Sequence, residues 1–242
     1  MVASSWPSLD ELDAVRNKVA EMSGADGRDV RVVVSPYRIC PLGAHIDHQG
    51  GTVTAMTINM GILLGFVPSP DAQFLFFLDR PKLNFRQGIT GFICGSEEHS
   101  SGLSSSAASI LKPNLAKRAL HYFSENKRVK EGLEAWASGN LDEFGKLISA
   151  SGRSSIENYE CGCKEMIDLY EILLKAPGVF GARFSGAGFR GCCLALVDAD
   201  LTDKAAAFVK QEYQKVQPEL ASKLPQDRLV LICEPGDSAH VV

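Results

Sequence analysis

Apolar residues recur at helical spacing near the start of the chain, at Leu9, Leu12, Val15, Val19 and Met22. Ser8 followed by Glu11 gives that run a capping box, so a short amphipathic helix is expected, ending near Gly24. The pattern then turns β-like. "VRVVVSPYRI" is β-branched and apolar and reads as a strand leaving at Pro36. "GTVTAMTINMGILLGFV" suggests two further strands, broken near Asn59–Gly61. "PSPDAQFLFFLDRPKLNFRQ" keeps neither period and carries Pro81, so it predicts no element, whereas "GITGFICGSEEHS" reads as a strand and a loop.

After Pro113 the pattern is mostly helical. Leu120, Phe123, Val129, Leu133 and Trp136 mark apolar faces, and Asn140 is placed to cap a helix through "LDEFGKLISAS". Met166, Ile167, Leu169, Tyr170, Leu173 and Leu174 mark another helix, closed by Pro177-Gly178. "GVFGARFSG" and "GCCLALVD" read as two strands around a glycine loop. A charged helix over 201–220 and a last strand in "LVLICEPGDSAHVV" complete the chain. These elements predict an α+β fold in two lobes, residues 1–110 and 111–242.

Composition narrows the function classes. The chain has 242 residues, 45% hydrophobic and 22% charged, with a formal net charge of −4. That balance gives no electrostatic case for nucleic acid, and no Lys/Arg run suggests a membrane-surface patch. The start "MVASSWPSLDELDAV" lacks a basic segment followed by an apolar run, so no secretory signal is expected. "INMGILLGFV" and "FLFFL" are too short to span a bilayer. Seven cysteines without zinc-like spacing point to reduced thiols in a cytosolic compartment. Nothing in the sequence sets an oligomeric state.

Three motifs carry candidate chemistry. "PYRICPLGAHIDHQGG" packs Arg38, His45, Asp47 and His48 into a glycine-rich turn, a set suited to sugar hydroxyls and a transferring phosphoryl group. Each of these residues alone reads first as part of a polar connection with a satisfied histidine, and His45, Asp47 and His48 also leave a metal site open. "SSGLSSSAAS", residues 100–109, offers consecutive N–H groups at a helix start as an anion cradle, with a hydroxyl for a phosphate-bound Mg²⁺. It lacks the lysine of a Walker A loop, and a Ser/Gly-rich surface loop is the alternative. "GAGFRG", residues 186–191, matches a dinucleotide fingerprint by letters, yet a β-like run follows it where that motif needs a helix, so that reading is rejected.

Together, in this order, the motifs resemble the GHMP small-molecule kinases and, within them, the galactokinase-like sugar 1-kinases. The first is similar to "GRVNLIGEHIDYNGG", with Arg38, His45, Asp47, Gly50 and Gly51 in register, and the second to "GGGLSSSA". The stretch from "SGRSSIENYECGC" to "GCCLALVD" resembles the galactokinase C-terminal region. The resemblance implies a GHMP-kinase fold with a ribosomal S5-like N-terminal lobe and an α/β sandwich C-terminal lobe. It implies ATP as phosphoryl donor, with Mg²⁺, and a sugar acid as acceptor at the anomeric hydroxyl.

The acid is inferred from Ala44. Galactokinases carry glutamate there, understood to bond the sugar's 6-hydroxyl; a C6 carboxylate would meet like charge at that position. Alanine removes the charge, which points to D-galacturonate. By the same resemblance, the backbone of Gly102, Leu103, Ser104, Ser105, Ser106 and Ala107 cradles the ATP phosphates, and Ser106 touches Mg²⁺. Arg38 steadies the transferring phosphoryl group, His45 and Asp47 hold sugar hydroxyls, and Gly186, Ala187 and Gly188 close over substrate and phosphate. Arg190 adds a cation beside that third loop.

One part of the family pattern is missing. The "GxxDQ" turn that supplies the aspartate base does not occur in this sequence, and neither does the segment that carries it with a Mg²⁺-binding glutamate. "GLSSSAAS" runs almost directly into "ILKPNLAKRALHYF". The chain therefore reads as an internally shortened sugar kinase, with two alternatives: a sugar- and ATP-binding regulatory module, or a fragment without function.

Overall fold

The computed structural model describes residues 6–69, 74–76, 88–95, 115–225 and 228–242. Residues 100–109, with the candidate phosphate loop, the Pro113 junction and most of residues 68–87 lie outside the described residues. The sequence suggests one cut after residue 110. The packing instead groups residues 1–38, 57–99 and 233–242 as one compact unit and residues 39–56 and 100–232 as another.

In the first unit, helix α1 (Leu9–Ser23) begins with the expected capping box and ends at Gly24 in the left-handed conformation. Its buried face is Leu12, Val15 and Val19, whereas Leu9 is exposed because it precedes the turn that reaches the sheet. The sheet has the order β3-β4-β2-β1-β7, built from β1 (Arg31–Ile39), β2 (Met56–Ser69), β3 (Phe74–Phe76), β4 (Gly88–Gly95) and β7 (His240–Val241). β4 runs antiparallel to β2, from Ile62↔Gly95 to Ser69↔Gly88, and parallel to β3. Leu12, Val15, Val32, Val34 and Leu63 form the core between helix and sheet.

Three sequence expectations change here. β1 continues through Pro36, which lies past Val33 and Val34, the residues paired with β7, where the missing N–H costs no registered bond to that strand. β2 is one strand, not two: at Gly61 a Cβ would collide with the Ser35 carbonyl, so that glycine marks close backbone approach and not a break. The C-terminal stretch makes only a bridge at Ile58↔Pro235 and the two-residue β7, since Pro235 and Gly236 interrupt it.

The second unit holds α2 (Leu115–Ala137), α3 (Leu141–Glu157), α4 (Lys164–Leu173), the hairpin of β5 (Val179–Ser185) and β6 (Cys192–Val197), α5 (Thr202–Val216) and α6 (Pro218–Lys223). Asn140 caps α3 as expected, its side chain accepting from the Glu143 N–H at 3.1 Å. The helix over 201–220 is divided, because Pro218 disfavours helical geometry at Gln217 (φ −128°, ψ 60°). α3 lies directly on β5: a Cβ on Gly181 would collide with the Gly145 carbonyl. Leu42, Val129, Phe144, Leu147 and Ile148 form one core cluster, and Met166, Tyr170, Ala182 and Phe184 belong to another.

Of the five residues that mark apolar faces on α2, Val129 alone is buried. Leu120, Phe123, Leu133 and Trp136 are exposed, while His121, Glu125 and Val129 are buried. The buried stripe is polar in its first half, at His121 and Glu125, because it satisfies the backbone of an incoming turn, described next, and continues through Val129, Gly132 and Ala135.

Candidate functional site

The first motif enters the second unit at Ile39 and is fastened to it by polar side chains. Thr54 ties the start of the turn, its Oγ1 accepting from the Leu42 N–H (2.9 Å) and its own N–H donating to the Leu42 carbonyl (3.0 Å). Gly43 follows at φ 91°, where a Cβ would stand 2.6 Å from the Thr52 carbonyl oxygen; only glycine fits. The Gly43 N–H donates to Glu125 Oε2 at 2.9 Å. The Ala44 carbonyl, one residue on, accepts from His121 Nε2 at 3.0 Å.

His121 is neutral and fully satisfied. Nε2 faces a carbonyl and carries the proton, so Nδ1 accepts from the Ser154 hydroxyl at 2.9 Å, and that hydroxyl accepts in turn from Asn158 (3.1 Å). Burial holds the imidazole below its ordinary pKa, although the Ala44 carbonyl and Glu125 pull the other way.

His45 sits at φ 63°, one of two non-glycine residues with positive φ among the described residues; the other is Glu160 (φ 59°). Such backbone costs on the order of 1 kcal/mol and persists only where neighbours hold it. Here they do. The His45 ring stacks on Tyr159, with centroids 4.4 Å apart and an 8° interplanar angle, and its Nε2 lies 3.7 Å from Cys161 Sγ. Tyr159 is held by Arg118, 4.8 Å from the ring centre, while Glu160 pairs with Lys117 and Arg118, each at 3.2 Å. Burial, then the Arg183 cation and His121, push the His45 pKa down to about 3. Burial likewise lifts the Cys161 thiol to about 11, so neither group is charged near neutrality.

Several predicted residues meet here and others do not. Ala44 is buried beside His45, while Asp47 and His48 are exposed on the same turn, Oδ1 to Nδ1 3.7 Å. Among the described residues no group of three His, Cys, Asp or Glu side chains is placed to hold a metal ion, so the His45, Asp47 and His48 set does not form a metal centre. Arg38 lies on β1 in the first unit. Gly102, Leu103, Ser104, Ser105, Ser106 and Ala107 lie outside the described residues.

The third motif is the loop joining β5 to β6, strand to strand as expected. Gly186 (φ 83°) and Gly188 (φ 79°) adopt left-handed backbone, Ala187 is half-buried, and Arg190 is exposed. The Gly188 carbonyl accepts from the Cys163 N–H at 2.9 Å. Residues 159–163 therefore touch both motifs, through the His45 stack at one end and Gly188 at the other. Tyr159, Cys161, His121 and Glu125 received no role from the sequence. For His121 and Glu125 the one signal was the stripe His121, Glu125, Val129, Gly132 at helical spacing.

Comparison with known proteins places the chain in a family. Residues 129–215 match the GHMP kinases C terminal domain. The galacturonokinase of Arabidopsis thaliana is 39% identical over an alignment that takes in 98% of this chain and the whole of that protein. The chain belongs to the GHMP kinases, in their galactokinase-like branch. Galactokinases of Clostridium perfringens (strain SM101) and Enterococcus faecalis are 42% and 44% identical over 101 and 107 residues, 26% and 28% of their own lengths. Among solved structures, Lactococcus lactis galactokinase complexed with galactose shares the fold at a TM-score of 0.78 with 20% identity, covering 95% of this chain and 99% of that one. Methanococcus jannaschii mevalonate kinase shares it at 0.57, with 11% identity over 74% of this chain and 94% of that one. These neighbours have the α+β architecture the sequence predicts. The Arabidopsis alignment runs over 422 positions, against 242 residues in this GHMP kinase, so a large part of that relative has no counterpart here. Among the described residues no helix is long and apolar enough to cross a membrane.

Proposed function

We propose that this chain phosphorylates a sugar acid, D-galacturonate, at its anomeric hydroxyl. The γ-phosphoryl group of ATP passes to O1, ADP leaves, and the hydroxyl proton is released. The observation that carries the substrate is Ala44: the turn that presents His45 has no carboxylate at this position, so a C6 carboxylate meets no like charge there. The 39% identity to a galacturonokinase over 98% of the chain supports the same choice.

In this reading His45 and Asp47 hold sugar hydroxyls, Arg38 balances charge on the transferring group, and Gly186, Ala187 and Gly188 close the site. The 102–107 loop takes the ATP phosphates, with the Ser106 hydroxyl on Mg²⁺, which supplies charge neutralisation when bound. A cytosolic location accompanies this reading.

The sequence lacks the "GxxDQ" base. Loss of a general base typically costs roughly 10²- to 10⁴-fold in rate. Phosphoryl transfer draws mainly on positioning and electrostatics, so slow transfer is the expected outcome. An intact first motif without the "GxxDQ" base favours a second reading, a sugar- and ATP-binding module without chemistry. Phosphorus NMR of the protein with Mg-ATP and D-galacturonate separates them. Galacturonate 1-phosphate supports the kinase; sugar binding without it supports the module. A protein that melts without a cooperative transition is the third alternative, a fragment without function.

A further inference from the structure

Arg183, on β5, is 1% exposed although it carries a charge. Among the described residues no carboxylate lies within ion-pair distance of it. Its Nε donates to the Phe184 carbonyl at 2.9 Å and its Nη1 to the Ser151 hydroxyl at 2.8 Å. Ser151 passes the connection on, donating to Glu125 Oε2 at 2.9 Å, and the same oxygen accepts from the Gly43 N–H at 2.9 Å. Ser151 and Glu125 are fully buried. The other Glu125 oxygen takes Arg128 Nε at 2.6 Å.

The result is a continuous buried chain of charge-assisted bonds. It starts at Gly43, the residue before Ala44 and His45, and ends on the strand that delivers Gly186. We propose that Glu125 and Ser151 are positioning residues that couple the 43–48 turn to the glycine loop, so the two hold a ligand as one body. The reading of D-galacturonate as substrate enters only as the identity of that ligand. The coupling follows from the bonding: Ser151 has one proton, given to Glu125, and its oxygen holds Arg183. If either end moves, a buried ionised group loses one of its hydrogen bonds with no water to replace it, which is unfavourable. A bridged, buried ion pair adds little stability that apolar packing would not also give, so fixing geometry is its better-supported use.

Ser151→Ala removes the bridge and leaves Glu125 bonded to Gly43 and Arg128. Hydrogen exchange is then read in three segments: 43–51, 184–193 and, as control, 205–213 in α5. Exchange about 10-fold faster in the first two, with the control unchanged, is expected for loss of a bond to a charged group. Ser151→Thr, which keeps the hydroxyl, restores both segments. Glu125→Gln is the second variant and accelerates the same two. Titration of the Ser151→Ala protein with D-galacturonate is expected to show about 10-fold weaker binding, with Mg-ATP affinity unchanged. Acceleration in one segment, in none, or in all three overturns the coupling. If the unmutated protein binds no D-galacturonate, the substrate reading fails, and the exchange result decides the coupling alone.

Discussion

His121 Nε2 donates to the Ala44 carbonyl at 3.0 Å, so the residue before His45 is held by a side chain 77 positions later in the chain. The bond needs Nε2 protonated, and burial disfavours a second proton, which leaves Nδ1 to accept from Ser154. Folding thus selects an uncharged His121 and, through burial, an uncharged His45.

That selection makes stability fall with acid. Both imidazoles have folded pKa values below their ordinary 6.5, with His45 at about 3. Unfolding therefore takes up protons below pH 6.5, and stability present above that pH is lost as pH falls towards 3. Melting temperatures between pH 7.5 and 5, above the ordinary carboxylate range, should decline once pH passes 6.5. His45→Asn, which removes the imidazole and suits left-handed backbone, should reduce the slope. A flat profile across this interval would count against the neutral pair.

The two sides of α2 give a contrast between two single substitutions. Phe123 is 70% exposed and Val129 2%. Phe123→Ser should change unfolding free energy by no more than about 0.5 kcal/mol, whereas Val129→Ala should cost roughly 1–3 kcal/mol. Urea denaturation of both variants measures the difference; equal costs would mean the apolar side of α2 is covered.

How far the sequence could foresee this varied with the kind of interaction. Ser8 and Glu11 announced the start of α1 because a capping box is local, and the β5–β6 hairpin was readable because two apolar runs flank a glycine cluster. The buried side of α2 was not. Periodicity ranks faces by apolarity, and here His121 and Glu125 are buried because the Gly43 N–H and the Ala44 carbonyl need partners. Gly61, read as a break, is a close-approach position whose neighbour, Ser35, comes from another strand. His45 was foreseen; the Tyr159 ring on which it stacks lies 114 residues away, in the stretch resembling the galactokinase C-terminal region, where it received no role.

The α3–β5 contact should tolerate no added carbon. A Cβ on Gly181 would meet the Gly145 carbonyl, and one on Gly145 would meet Phe180, both backbone at the point of contact. Gly181→Ala should therefore cost roughly 1–3 kcal/mol or more by overpacking, seen as a lower denaturation midpoint at unchanged slope. Stability equal to the parent protein would show that α3 can shift away from β5.

On the proposed reading, Ala44 sets the preferred ligand. Ala44→Glu places a carboxylate where D-galacturonate would bring its own, and repulsion with desolvation should weaken that acid's binding by about 10-fold or more. D-galactose, which has a hydroxyl at C6, should lose less or gain. Equal losses for the two sugars would show that the substitution only disturbs the buried turn.

The most direct measurement is isothermal titration of the unmutated protein with D-galacturonate and, separately, D-galactose, each with Mg-ATP present. Saturable binding of D-galacturonate, tighter than that of D-galactose, is the predicted result. A cooperatively melting protein that binds neither sugar, or prefers D-galactose, would contradict the assignment of the 43–48 turn to a sugar acid.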